Sequence, residues 1–150
     1  MKVSKLTDRN LSKGFSLVEL LVVVAIIGAL SAIGTIAYNG YVGGAKASAA
    51  KNSIQQISLM QQEYQSIYGS YHTQQSAGGC SVPASANTAD INTTLFEADD
   101  GEEAVDVEDY EFCIEAHATG YKIVGCEIEN SACKGTPFTL NAKGAKSDNF

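Results

Sequence analysis

Residues 14–33 read Gly14-Phe15-Ser16-Leu17-Val18-Glu19-Leu20-Leu21-Val22-Val23-Val24-Ala25-Ile26-Ile27-Gly28-Ala29-Leu30-Ser31-Ala32-Ile33. Continued to Tyr38, the run holds about 24 residues, enough as a helix to cross a bilayer core of about 30 Å. Glu19 is its only charged side chain. A helix apolar on every side belongs in lipid or among other helices, so this stretch sets the N-terminal architecture.

Outward from it, the charge divides sharply. Residues 1–14 carry Lys2, Lys5, Arg9 and Lys13 against Asp8, a net +3. Residues 15–150 carry six basic and sixteen acidic side chains, a net −10. A basic flank before an apolar run is the pattern retained on the cytoplasmic side of a membrane. An acidic body repels a phosphate backbone, which argues against nucleic acid as a default partner. With 150 residues the chain has room for one modest domain plus an anchor.

Beyond Tyr41 the helical pattern becomes one-sided. Ile54, Ile57, Met60, Tyr64, Ile67 and Tyr71 recur at steps of three and four, an apolar stripe with glutamines largely elsewhere. Gly69 is the expected stop, so a helix from Phe15 to Tyr68 would be about 80 Å long. Residues 72–94 are rich in Ser, Thr, Ala, Asn, Gln and Gly and read as a long surface connection. Tyr110–Ala116 and Tyr121–Cys126 alternate with period two around Thr119-Gly120, and Thr136–Leu140 is a further short strand. The expected fold class is α+β: a long N-terminal helix, apolar then amphipathic, packed on a small antiparallel sheet.

Four cysteines without a CxxC pair suit two disulfides in an oxidising compartment better than a zinc site. A turn at Thr119-Gly120 puts Cys113 opposite Cys126, which favours Cys113–Cys126 with Cys80–Cys133. Cys80–Cys113 with Cys126–Cys133 stays open as an alternative.

The segment Gly14-Phe15-Ser16-Leu17-Val18-Glu19-Leu20, after a short basic leader and before the apolar run, resembles the cleavage and methylation segment of type IV prepilins. The resemblance is close over residues 1 to about 41 and general to about Tyr71; Cys133–Gly144 looks like the last β-segment of many type IVa pilins. It implies cleavage after Gly14 by a prepilin peptidase, N-methylation of Phe15, residence in the inner membrane, and addition to a homo-oligomeric helical filament by an assembly platform. It also implies three regions: a leader at 1–14, a transmembrane and filament-core helix at 15–41, and a periplasmic or extracellular head at 42–150. Many relatives carry a proline where this chain has Ile36; here Gly34 is the nearby helix-weakening residue.

The residues support the same reading independently. An ionised carboxylate in hydrocarbon costs at least about 2 kcal/mol on insertion scales and calls for a partner. Cleavage before Phe15 creates an α-amino group, mostly protonated below about pH 7.7. At about 4 Å and an effective dielectric near 20, the two charges attract by about 4 kcal/mol before desolvation is counted. Glu19 is therefore expected to receive the Phe15 amine of a neighbouring subunit. The plainer alternatives are a Glu19 that reaches to the headgroups, a signal peptide with residues 20–30 as its apolar core, and an uncut membrane anchor.

No cofactor, metal site or catalytic residue is expected. His72 and His117 lie in no nucleophile or metal pattern. The acidic run from Glu97 to Glu115 lacks EF-hand spacing and reads as a solvated surface rather than a calcium loop. For a DNA-binding strip only Lys122, Lys134, Lys143 and Lys146 are candidates. The expected function is a type IV pilus subunit serving adhesion, twitching motility or DNA uptake. A pseudopilin of a type II secretion system and a membrane-tethered binding domain are the rivals.

Overall fold

The computed structural model describes residues 14–99 and 103–150. The leader side chains, with Asp100 and Glu102 of the acidic run, lie outside these residues. The chain divides after Tyr41 into two compact units. The first holds the start of helix α1 (Leu17–Tyr68), whose side chains from Leu17 to Ile36 are exposed on all sides. This stretch is long and apolar enough to cross a membrane.

In the second unit, Val42–Phe150, the remainder of α1 becomes one-sided. Ala50, Ile54 and Ile57 are completely buried, in one cluster with Phe112, Ile114, Tyr121 and Ile123 of the sheet. The expected stripe is partly corrected here. Ile67 is exposed and Gln61 takes a core position. Gln61 can do so because its amide closes two bonds on one backbone: Nε2 donates to the His72 carbonyl at 2.7 Å, and the His72 N–H donates to Oε1 at 3.0 Å. Gly69, with φ of 77°, follows the helix and donates to the Gln65 carbonyl at 2.8 Å.

A second helix, α2 (Ser85–Leu95), replaces part of the surface connection expected over 72–94. Its Ile91 and Leu95, four apart, are buried, and Asn87 Oδ1 accepts the Ala84 N–H at its start. The sheet contains β1 (Tyr110–His117), β2 (Gly120–Glu129), β3 (Ala132–Cys133) and β4 (Phe138–Asn141), all pairs antiparallel. β2 pairs with β1 along its length, with β4 over Lys122–Gly125, and with β3 at Ile128 and Glu129. Gly125 sits under α1; a Cβ there would lie 2.9 Å from both Ile54 and Phe112.

All four cysteines are bonded, but not in the favoured pairs. The bonds are Cys80–Cys113 and Cys126–Cys133, with Cα separations of 5.7 and 5.6 Å. The reason is the turn. His117 opposes Gly120, so the loop is Ala118-Thr119, and Gly120 opens β2 with φ of 121°. That register sets Cys113 opposite Val124 and Cys126 opposite Glu111. Cys126 instead reaches β3 across a tight turn whose Asn130 and Ser131 both have positive φ.

Candidate assembly and processing site

Gly14 and Phe15 precede α1 without helical structure, and both are exposed, Phe15 at 85%. Glu19 lies in the first turn. Its Oε2 accepts the Ser16 N–H at 2.9 Å, while Ser16 Oγ accepts the Val18 N–H at 3.3 Å. Ser16 and Glu19 thus cap the helix start in a variant of the capping box, with the Ser16 hydroxyl on the second rather than the third helical N–H. The spacing Ser-x-x-Glu announces it in sequence, and a reading that sought the partner of Glu19 only in a neighbouring subunit overlooked it.

The box changes the electrostatics of the site. A carboxylate in the first turn faces the positive end of the helix dipole and satisfies one otherwise unpaired backbone donor. Oε2 is engaged in this way, and Oε1 has no partner among the described residues.

The other sequence candidates separate into structural roles. Lys122 pairs with the buried Glu115, and Lys134 pairs with Glu127 at 3.0 Å. Lys146 lies 4.2 Å from the Phe150 ring centre. Two of the four candidate DNA-contacting lysines are thus held by carboxylates. Lys46 lies 2.9 Å from Glu108 and 2.7 Å from Asp109 within the acidic run, and these hydrogen bonds raise its pKa above the ordinary lysine value. His72 Nε2 is 2.8 Å from Asp90 Oδ2, linking the chain after α1 to α2, and His117 meets Thr119 in the hairpin turn. Among the described residues no group of three or more His, Cys, Asp or Glu is arranged to hold a metal.

One comparison with known families falls on the same segment. Residues 9–35 match the prokaryotic N-terminal methylation motif. A fimbrial protein, EcpC of Eikenella corrodens, is 34% identical over 90 residues, covering 60% of this chain and 58% of that protein. The type IV major fimbrial protein FimA of Dichelobacter nodosus is 50% identical over 40 residues, covering 27% of this chain and 25% of that protein. The chain therefore spans less than two thirds of the length of these relatives. No solved structure matches it. A methylation motif laid across a capped, apolar helix start, together with fimbrial relatives, makes the N-terminal part of this chain similar to that of type IV fimbrial proteins.

Proposed function

We propose that the chain is a subunit of a type IV pilus. It is held in the inner membrane by residues 15–41; a prepilin peptidase cuts after Gly14, Phe15 is N-methylated, and the mature subunit stays in the membrane until assembly. An assembly platform adds the processed subunit to a homo-oligomeric filament outside the cell, with residues 42–150 as its outer head. The fibre serves adhesion, twitching motility or DNA uptake. The observation that carries this reading is the exposed Gly14–Phe15 bond beside Glu19, within the methylation motif. Cleavage leaves an ammonium group four residues before the one carboxylate of an apolar helix. In a helix bundle that ammonium pairs with Glu19 of the adjacent copy and fixes axial register, because an unpaired charge among apolar helices is costly.

The test is intact mass and N-terminal sequencing of the protein sheared from cell surfaces. A start at N-methylated Phe15 is expected. A start near Ala32 would indicate an ordinary signal peptide, and an uncut Met1 an anchor that does not polymerise; either result sinks the reading.

A further inference from the structure

Helices α1 and α2 end beside one another in the second unit, and their last turns line a half-open groove. Three aromatic rings line it: Tyr64 and Tyr68 of α1, whose ring centres are 4.4 Å apart, and Phe96, which caps the end of α2. Two carboxylates, Glu63 and Glu97, complete its lining, and neither forms an ion pair among the described residues. Neither helix has a basic residue in its last turn.

Each of these features favours positive charge. The terminal carbonyls of a helix carry roughly half a negative elementary charge, and here two such ends converge. Aromatic faces attract cations through their quadrupoles. The carboxylates add full charges. The walls, with Met60 and Ile67 beside the rings, offer apolar contact as well as charge. They suit a cation clothed in apolar carbon.

We propose that this groove binds a small organic cation, an alkylated or quaternary ammonium group. The charge is met by Glu63, Glu97 and the helix ends, and the alkyl groups by Tyr64, Tyr68 and Phe96. The proposal does not depend on filament assembly, because every residue it uses lies in one unit of a single chain.

Choline is the probe and 3,3-dimethylbutanol, its uncharged analogue of the same shape, the control. Both are titrated into the full-length isotope-labelled protein in maltoside micelles at constant ionic strength, with shifts followed by NMR. Saturable shifts at Tyr64, Tyr68 and Phe96 are expected with choline, with binding at least about threefold weaker for the neutral analogue, as a cation–π contribution requires. Tyr68→Leu, at an exposed position, and the Glu63→Gln/Glu97→Gln pair should each weaken choline binding by a similar factor while circular dichroism stays unchanged. Equal binding of the two probes would reduce the groove to an apolar cleft. Absence of saturable shifts with choline, or full binding by Tyr68→Leu, would also overturn the proposal.

Discussion

At the scale of single residues, two carboxylates show how local partners decide what a charge does. Glu19 caps the helix start through one oxygen, and in the proposed filament the other receives the amine of a neighbouring copy. Substitutions separate them. Ser16→Ala removes one half of the box and should cost about 1 kcal/mol of helix stability at the terminus while filaments still form. Glu19→Gln keeps a side-chain oxygen for the Ser16 N–H but loses the charge, so helicity should persist and surface fibres vanish; electron microscopy of the cells reads the outcome directly. Glu115 is the other case. Burial alone would raise its pKa, but the Lys122 ammonium and the N–H groups of Cys80 (3.0 Å) and Gly78 outweigh it and hold the carboxyl below its usual 4.5. A carboxylate depressed in the folded state contributes stability that is complete above its unfolded pKa and is lost as pH falls through the folded one. Asp90 acts in the same direction: burial opposes ionisation there, but Gln74 and His72 prevail. The head should therefore unfold at lower urea concentration as pH drops below about 4.5. Glu115→Gln should flatten that dependence, as tryptophan-free methods such as far-ultraviolet circular dichroism can record.

At the scale of elements, the outward N–H groups along β1 and β4 are occupied by other parts of the chain. On β1 the outward N–H groups of Phe112, Ile114 and Ala116 donate to Thr88 Oγ1, Gln74 Oε1 and the Gln75 carbonyl at 3.0, 3.0 and 2.8 Å. On β4, Thr139 exchanges bonds with Ser147, and Asn141 donates to the Ala145 carbonyl. An unguarded edge is a template for strand addition between chains, so these contacts leave association to the helices. Gln74→Ala combined with Thr88→Val strips two of the β1 partners. It should cost about 1–3 kcal/mol per stranded N–H and increase thioflavin-positive aggregation on storage. Wild-type aggregation rates in the double variant would mean that the edge is protected by something else.

These same elements mark how far the sequence could be read. α1 and the β1–β2 hairpin follow from periodicity over long windows. α2 does not, because its buried stripe is Ile91, Asn92 and Leu95 in a run of Ser, Ala, Asn and Thr, residues that equally favour turns. The hairpin register escaped for a different reason. Moving the turn from Thr119-Gly120 to Ala118-Thr119 slides the strands by two residues, and a slip of two leaves every side chain on its original face. Hydrophobic alternation cannot detect that slip, yet it decides which cysteine meets which. The methylation motif was legible because it rests on local residue types, whereas the cap at Ser16 was missed although its spacing was present.

At the scale of the whole molecule, two regions have different needs. The first unit exposes Leu17, Leu20, Leu21, Ile26, Ile27 and their neighbours, an apolar surface that water does not tolerate without lipid or other helices. The second unit is closed by its own core and by two covalent links of unequal reach. Cys80–Cys113 spans 33 residues and fastens the chain before α2 to the middle of β1. Cys126–Cys133 spans 7 and only joins β2 to β3. In the chain-entropy description the first restricts the unfolded ensemble by about 4 kcal/mol and the second by about 2.5 kcal/mol. Packing points the same way: Cys80 and Cys113 are both buried and cluster with Val124, whereas Cys133 is only partly covered. The Cys80→Ala/Cys113→Ala pair should therefore lower the urea midpoint more than Cys126→Ala/Cys133→Ala, and peptide mapping of the oxidised wild type should return the two native pairs. If the order of the two variants is reversed, contacts made by the β2–β3 turn in the folded state outweigh the longer constraint on the unfolded chain. The tight turn at Asn130-Ser131 would then be what holds the C-terminal half of the head together.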